Sequence, residues 1–546
     1  MKRNRKQEIA RSRSGLAAKA LAASLLLAAS SLPALGTQTV DDLNPLDRTK
    51  DITITGQQSG TAVVPDTALD LVKKLYPLMG GGAVSFAPFA LNPVNGAVTI
   101  TDNLASGSVA LSDVFGILGF IPPAWLTLDG GVSVGLGGGL ASILGIDLAA
   151  DKDIVMSGNR AVAAESGLVT AKVDLDGASG GTLTGTLKVE SSVSLAGGGA
   201  AAAIDGPVTI VSANGAVDLS GNSAAASGGI AAALGGGPLS VTGNVDLDGD
   251  QGVTLAGNSA SAQVNSPLSL KVGAVELPGP KKILDGVFLE GSLAMAAGGA
   301  AFSGGWIGVE GNDGAVLLSG NSASAAGAVS LAAGGGLAAA GKIEIAGKSA
   351  ALQGNSASAA SNGNVALTVE GLALDGVLPP FPELKLRKGA LRLPLAAAVG
   401  GAGASVSYVD VTADETVELS GNAAAASGGI AGALGGGLAG FGGVKLTGPK
   451  GVSVTGNAAQ ATAQNFELLG LEGVSVVYDA DPATPNYRQS LDSLSLQGSL
   501  AAALGGGVLG VGTELDAGNE KLVLSDNAAS ASGGLAAASP TSAARR

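Results

Sequence analysis

The chain has 546 residues, 89 of them Gly, and its 44 Asp and Glu exceed its 30 Lys and Arg to give a net charge of −14. Because it contains neither Cys nor His, disulfide bonds cannot stabilise the fold and a catalytic histidine is excluded. Its acidity also disfavours nucleic acids and anionic membrane surfaces as partners, since both are negatively charged.

Residues 1–36 predict an export signal. Residues 1–19 are rich in Lys and Arg, a short apolar segment follows from Ala20 to Leu32, and Ala34-Leu-Gly36 offers small residues for cleavage. The apolar segment is too short for a membrane helix, which needs about 20 residues. Cleavage after Gly36 leaves 23 basic and 43 acidic residues, a net charge of −20, and no transmembrane segment.

Residues 37–79 precede the repeats and predict an N-terminal cap. Asp51-Ile-Thr-Ile-Thr-Gly56 has the alternation of a strand, and Asp66 is placed to cap a helix over residues 67–78. A stack of repeats exposes its first unit, so a covering segment is expected there.

Residues 80–538 are organised around one recurring phrase. The phrase is clearest at Val217-Asp-Leu-Ser-Gly-Asn222, where apolar and polar residues alternate with the period of a half-buried strand and Gly-Asn then turns the chain. Short strands and tight turns without hairpin patterns predict an all-β parallel β-helix. Its Asn side chains would form turns and stack as a ladder at one corner. The copies of the phrase place these residues at Asn103, Asn159, Asn222, Asn258, Asn321, Asn355, Asn422, Asn457 and Asn527.

The spacing of the phrases predicts how the repeats are grouped. From Asn222 onwards short and long intervals alternate, so the repeat unit has roughly one hundred residues and includes a third phrase, as at Leu289-Glu-Gly-Ser-Leu293. At roughly 20 residues per coil, the chain would form a rod on the order of 100 Å long. Each long interval contains a Pro-bearing insert, at 277–282, 378–383 and 479–487, which predicts a projecting loop. Residues 539–546 predict a frayed tail.

Two motifs of this sequence resemble the repeat of bacterial polymorphic outer membrane proteins. That family alternates a Gly-Gly-Ala-aliphatic motif with a Phe-x-x-Asn motif, and here Gly81-Gly-Ala-Val84 is followed by Ile100-Thr-Asp-Asn103. The resemblance covers roughly residues 80–538. It implies a right-handed parallel β-helix of the autotransporter-passenger type, displayed at a cell surface and adhesive.

The sequence offers few groups for catalysis. Exported β-helices include polysaccharide lyases and hydrolases, whose sites need paired carboxylates or a metal with aromatic platforms for sugar. Asp246-Leu-Asp248-Gly-Asp250 begins like a calcium loop, but its Gly is misplaced and the distal Glu is missing, so a solvated turn is expected. Trp125 and Trp306 are expected to anchor the core or a loop. We therefore predict no catalytic, cofactor-binding or metal-binding residue.

One dense basic group occurs after residue 36. It comprises Lys385, Arg387, Lys388 and Arg392 and is expected on an exposed insert.

The sequence thus favours an exported, non-enzymatic β-helical protein with an adhesive or structural role at the cell surface or outside the cell; the periplasm is the alternative location. Its expected partners are a host or cell-surface protein or a polysaccharide, bound through the Pro-bearing inserts. A carbohydrate-active β-helix enzyme is one alternative. Another is a subunit that associates end to end into a fibre or surface layer through unpaired strand edges.

Overall fold

The computed structural model describes residues 38–39, 51–58, 83–85, 89–91, 96–110, 124, 126–164, 169–174, 186–265, 268–276, 282–378, 381–478 and 487–539. Within these ranges the chain is all-β and contains no helix. The predicted strand after Asp51 is confirmed as Ile52–Thr55. The predicted export signal, the helix over 67–78, Trp125 and all but the first residue of the predicted tail lie outside the described residues.

Most strands stack in parallel on copies of themselves. The strand Val217–Ser220 alternates buried Val217 and Leu219 with partly exposed Asp218 and Ser220. It pairs in register with Ile154–Ser157 before it and with Gly252–Ala256 after it. The alternation predicted from the sequence therefore sets which side chains face inward in each copy.

Four sheets recur in a fixed order along the chain, an arrangement consistent with a parallel β-helix. We call the stretch from one Asn of the predicted series to the next a level. We name these four sheets A to D. After Asn222, the chain adds Ser223–Gly228 to sheet B, Ile230–Leu234 to sheet C, Pro238–Ser240 to sheet D, and Val245–Gly249 and Gly252–Ala256 to sheet A. The next Asn, Asn258, then begins the next level. Each strand pairs with its counterpart one level away.

Sheet A receives two segments from each complete level. Its strands are Gln38–Thr39, Ile52–Thr55, Phe89–Leu91, Val98–Thr101, Ile146–Ala150, Ile154–Ser157, Val208–Ser212, Val217–Ser220, Val245–Gly249, Gly252–Ala256, Ile307–Ser319, Ile343–Gln353, Tyr408–Ala413, Thr416–Ser420, Gly443–Thr447, Gly451–Thr455, Thr513–Asp516 and Leu522–Ser525.

Sheets B, C and D each receive one strand per level. Sheet B consists of Leu104–Ala110, Arg160–Ala163, Ser223–Gly228, Ser259–Val264, Ser322–Gly327, Ser356–Ser361, Ala423–Gly428, Ala458–Ala463 and Ala528–Ser532. Sheet C consists of Gly131–Leu136, Val193–Gly197, Ile230–Leu234, Leu293–Ala297, Val329–Ala333, Leu395–Val399, Ile430–Leu434, Leu500–Leu504 and Leu535–Ser539. Sheet D consists of Ala83–Ser85, Leu140–Ser142, Ala201–Ala203, Pro238–Ser240, Ala301–Ser303, Leu337–Ala339, Gly403–Ser405, Leu438–Gly440 and Val508–Gly510.

The core has two chemically different parts. Between sheets A and D it is built largely of Ile, Leu and Val, such as Leu219 and Leu337. Between sheets B and C it is built only of Ala, with Ala224 and Ala226 facing Ala231 and Ala233. Because Ala is much smaller than Leu, sheets B and C can approach closely without leaving cavities. Every second residue of the Ala-rich run after an interior Asn is therefore a core residue, as Ala224 and Ala226 are.

Glycine clusters form the corner between sheets C and D. At this corner Gly235 has a positive φ of 62°. A Cβ on Gly236 would lie 2.2 Å from the carbonyl oxygen of Gly299 in the next level. Side chains other than hydrogen cannot fit where successive backbones stack so closely, which explains much of the unusual Gly content.

The predicted coil length was wrong. Successive Asn residues stack directly, and they are separated by 34 to 36 residues in short levels and by 56 to 70 in long ones, rather than by about 20 per coil. Nine Asn residues at about 4.8 Å per level give a stack of about 40 Å, not 100 Å. The third phrase is not a separate coil, because Leu293 pairs with Ile230 as the sheet C strand of a long level.

Further strands of the long levels form a sheet of their own, which we call the lateral sheet. It is antiparallel and has nine strands: Leu126–Asp129, Val169–Asp174, Thr186–Ser191, Leu268–Val272, Gly286–Gly291, Val365–Leu378, Phe381–Leu393, Phe466–Tyr478 and Tyr487–Gly498. A two-stranded sheet of Val275–Glu276 and Lys282–Leu284 extends one insert. Where the predicted loops are described, as at residues 381–383, they are strand and not loop, and hairpins of successive long levels pair with one another. Residues 277–281, 379–380 and 479–486, which hold most of the Pro, lie outside the described residues.

The residue before each ladder Asn adopts a left-handed backbone. Gly occupies this place in most levels, for example Gly257 with φ of 63°, and Asp102 and Asp526 occupy it in two others. Those two Asp are the only non-Gly residues with positive φ in the described part of the chain. Gly257 has open space around the position that a Cβ would take, so only its backbone conformation favours Gly.

We expect Gly257→Ala to lower the free energy of unfolding by about 1–2 kcal/mol, the cost of a left-handed L-residue. Gly432→Ala is the matched control, because Gly432 also has open space around it but no positive φ. It should be neutral or slightly stabilising. Urea unfolding followed by circular dichroism measures both, and equal effects of the two substitutions would contradict the backbone explanation.

Candidate functional site

The nine predicted Asn residues lie one above another in a continuous hydrogen-bonded ladder. In each rung, Nδ2 of one Asn donates to Oδ1 of the next; the distances run from 2.8 Å for Asn103 to Asn159 up to 3.2 Å for Asn222 to Asn258. The backbone N–H of the first Asn in each rung donates to the same Oδ1, as Asn258 does to Asn321 at 2.9 Å. The remaining rungs join Asn159 to Asn222, Asn258 to Asn321, Asn321 to Asn355, Asn355 to Asn422, Asn422 to Asn457 and Asn457 to Asn527.

The second N–H of each interior amide is also used. Nδ2 of Asn321 donates to the carbonyl oxygen of Leu255 at 2.7 Å, in addition to its bond to Asn355. Asn321, like the other interior members, is completely buried. Because both amide atoms are satisfied by neighbouring levels and no solvent reaches them, these side chains hold levels together and are not available to a ligand.

The acidic segment at Asp246 lies on the outer surface of sheet A. Asp246 and Asp248 point away from the core, and Asp248 accepts a hydrogen bond from Asn312 at 2.9 Å. Burial raises the pKa of Asp246, and the nearby charge of Asp248 raises it further. Burial likewise raises the pKa of Asp248. No cluster of three or more acidic side chains able to hold a metal occurs in the described residues.

Trp306 contributes to the burial of Asp246. A Cβ on Gly308 would lie 2.3 Å from Cζ3 of Trp306 and 2.9 Å from Oδ1 of Asp246, so the indole covers the glycine beside the carboxylate. Gly308 stacks directly on Asp246 in the next strand. Trp306 therefore packs against the outer surface of sheet A, where the absent side chain of Gly308 makes room for the ring.

The basic group lies on the lateral sheet, paired with carboxylates. Arg387 contacts Glu472 at 3.0 Å, Arg392 contacts Glu467 at 2.6 Å and Lys388 contacts Glu370 at 3.6 Å. These partners belong to neighbouring strands, so the charges link adjacent hairpins. Such partly exposed pairs contribute only a few tenths of a kcal/mol each, but like charges in their place would disfavour the pairing.

The other side of the lateral sheet is apolar. Cross-strand pairing aligns one residue from each of eight strands into a row, and a second row runs beside it. A third, shorter row crosses the four strands of the last two hairpins. We call these rows the aliphatic face: Ala171, Val189, Leu270, Leu289, Leu367, Leu391, Leu469 and Leu496; Val173, Leu187, Val272, Val287, Val369, Gly389, Leu471 and Leu494; and Leu372, Leu386, Val474 and Leu491.

The aliphatic face is open to solvent. Its members are partly or largely exposed except Gly389, and Leu367, Leu494 and Leu496 expose 38%, 47% and 52% of their surfaces. None of its residues is charged or aromatic. A soluble monomer rarely leaves so many aliphatic side chains uncovered on one side of a sheet, so this surface is the strongest candidate for a contact site.

The aliphatic face continues onto sheet C. The strand Phe381–Leu393 leads through buried Pro394 directly into Leu395–Val399. Leu391, Leu393 and Leu395 are exposed by 38%, 39% and 40%, so the apolar surface does not stop where the sheets change. Leu293, Leu395 and Leu500, which begin the sheet C strands of three long levels, are all exposed.

The sequence contains an alternation of Leu with polar residues that indicates this face. In Leu384-Lys-Leu386, Leu391-Arg-Leu393 and Leu494-Ser-Leu496, Leu alternates with a charged or hydroxyl side chain, as in a strand with one apolar side. The Pro-rich segments beside these runs favoured an interpretation as loops. Only the pairing between hairpins far apart in sequence gathers these leucines into one surface.

In the part of the chain that the structure describes, no helix is long and apolar enough to cross a membrane. Comparison of the chain with models of protein families, with curated proteins and with solved structures finds no match.

We expect Asn321→Ala to lower the free energy of unfolding by about 2–4 kcal/mol, because the donors of Asn258 and the carbonyl of Leu255 lose buried partners. Asn527→Ala is the matched control, because Asn527 lies at the partly exposed end of the ladder, where its amide donates to Val454 but, within the described residues, to no further Asn. It should cost clearly less. Urea unfolding measures the free energy of unfolding of both variants. An equal loss in the two would contradict the stabilising role of the buried rungs.

The raised pKa of Asp246 predicts a pH-dependent effect of Asp246→Asn. The folded state binds this proton more tightly than the unfolded state, so the native side chain destabilises the fold above its folded pKa. This penalty disappears as the pH falls through the folded pKa toward the unfolded value of 3.8. The variant should therefore be more stable than the native chain at pH 7 and equal to it near pH 3.5. Chemical unfolding at both pH values measures the difference, and a pH-independent one would contradict the assignment.

Proposed function

We propose that this chain is an exported, non-enzymatic protein of the cell surface or extracellular space with a structural or adhesive role, and that its contact surface is the aliphatic face. The observation that carries the proposal is the exposure of this face across eight of the nine strands of the lateral sheet. The sequence analysis expects partners to bind at the Pro-bearing inserts; in this proposal they bind to the strands beside those inserts.

The scaffold we propose is a right-handed, closed parallel β-helix. The recurring order of the four sheets and the buried Asn ladder support it, as does the resemblance of the Gly-Gly-aliphatic and Asn motifs to the polymorphic outer membrane protein repeat. Such a stack gains stability by adding equivalent levels, so it can hold the lateral sheet rigidly without disulfides. A rigid support suits a contact surface, because little conformational freedom is lost on binding.

The size of the aliphatic face fits a binding role. Eight strands at about 4.8 Å span about 40 Å, and the two longer rows occupy about 14 Å along the strands. With the third row, which adds about 7 Å over about 20 Å, the face covers roughly 700 Å². This area exceeds the largest apolar patch of a typical monomer, about 300–600 Å². It also approaches what one partner contributes to a standard stable interface, about 800 Å².

The location can be tested directly. Intact producing cells are treated with protease, and the medium, cell surface and periplasm are assayed for the chain. We expect a protease-sensitive surface pool or release into the medium. A pool confined to the periplasm and protected from protease would contradict the proposed role at the cell surface or outside it.

The contact surface is tested with two neighbouring substitutions in the last strand of the lateral sheet. Leu494→Lys places a charge on the aliphatic face, whereas Ser493→Lys places it on the opposite side, where Ser493 pairs with Glu472. We expect Leu494→Lys to reduce retention of the chain on cells, or binding to immobilised cell-surface extract, at least 10-fold. Ser493→Lys should leave both unchanged, with circular dichroism confirming that each variant folds. Equal binding by the two variants would refute the aliphatic face as the contact surface.

A further inference from the structure

We propose that the aliphatic face is covered by the same face of a second copy of this chain, so that the protein is a homodimer of two lateral sheets packed face to face. This inference rests on the contact surface of the proposed function and names its occupant. The argument comes from the composition of the face, its area and the distribution of charge around it.

The composition of the aliphatic face matches the interior of a β-sandwich. Its rows contain Leu, Val, Ala and one Gly, with no aromatic, polar or charged residue. Surfaces that rest on membranes use Trp and Tyr at the polar boundary and Lys or Arg toward the headgroups, and transient protein contacts rely on Trp, Tyr and Arg. A purely aliphatic surface is instead typical of obligate homodimers, whose interfaces resemble a core divided in two.

The geometry of the lateral sheet suits a two-fold arrangement. Two sheets pack face to face about 10 Å apart with their strands rotated by about 30°, and their inner side chains interdigitate. The eight strands of the aliphatic face divide evenly between Gly286–Gly291 and Val365–Leu378. An axis near Leu289 and Leu367 would therefore place four strands of each copy on either side, and the two longer rows would be buried against their counterparts.

The charge distribution permits this contact. The charged side chains of the lateral sheet, including Lys388, Arg392, Glu370, Glu467 and Glu472, lie in register positions that alternate with the aliphatic rows. They pair with one another on the opposite side and would stay in solvent. Dimerisation would thus bury no charge, and the net negative charge of the two copies would remain outside the interface.

The dimer is tested with the chain purified from the cells that export it, by light scattering coupled to size exclusion. We expect the native chain to have twice its monomer mass at micromolar concentration. Leu367→Lys, at the centre of the face, should raise the dissociation constant at least 100-fold, because two charges would meet near the axis. Thr368→Lys, one residue along and on the opposite side, should remain dimeric. A monomeric native chain, or a dimeric Leu367→Lys variant, would overturn the inference.

A second measurement does not depend on disrupting the interface. Because the chain has no native Cys, Leu367→Cys and Thr368→Cys each introduce one thiol on either side of the same strand. Relative to urea-unfolded chains, Leu367→Cys should react with a maleimide at least 10-fold more slowly than Thr368→Cys. Equal reaction rates would overturn the inference. Co-flotation of a monomeric native chain with neutral phosphatidylcholine vesicles would overturn it too, by identifying a lipid surface as the occupant.

The outcomes separate this inference from the proposed function. If the native chain is monomeric but Leu494→Lys still abolishes retention on cells, the homodimer fails and the contact surface stands. If Leu367→Lys dissociates the dimer while neither substitution alters location or retention, the homodimer stands and the aliphatic face has no adhesive role.

Discussion

The fixed distance between hydrogen-bonded strands governs this structure. Parallel and antiparallel strands both lie about 4.8 Å apart, so a stack of levels rises by one strand spacing per level, whereas a hairpin is two strand spacings wide. Hairpins that leave the stack at every second level can therefore pair edge to edge without stretching or crowding. The alternation of short and long levels, 36 residues to Asn258 and then 63 to Asn321, follows from this match.

The same constraint explains why each surface has its own composition. Equivalent residues stack directly in successive levels, so any side chain must be compatible with its own copy above and below. Asn satisfies this requirement in a buried position because its amide is both donor and acceptor, and the ladder uses both capacities. Ala satisfies it between sheets B and C, where the space is narrow. Opposite charges satisfy it between the last hairpins of the lateral sheet, where Arg392 meets Glu467.

The aliphatic face differs from these surfaces, because its surroundings are incomplete in a single chain. Its leucines fit one another within each row, but nothing in the described part of the chain covers them. A surface of this kind has a cost in water that a stable partner would remove. Hairpins of different length share the two longer rows of this face. The proposed function and the proposed dimer both derive from that shared surface.

The sequence alone determined the features that depend on local patterning. Alternation of period two identified the strands, the Gly-Asn phrases identified one corner of each level, and the spacing of Asn222, Asn258 and Asn321 revealed the alternation of levels. These features could be predicted because strand alternation and left-handed turns depend on neighbouring residues. The nine Asn positions in the ladder were all found in this way.

Tertiary structure alone decided how the chain between these signals is used. The sequence could not show that Leu293 of a long level occupies the place of Ile230 in a short one, so the coil was predicted too short. It also could not show that Leu367, Leu391 and Leu469 stand side by side, because the register between separate hairpins is set by the stack that carries them. Local sequence specifies which side of a strand is apolar, but only long-range pairing decides whether such sides join into one surface.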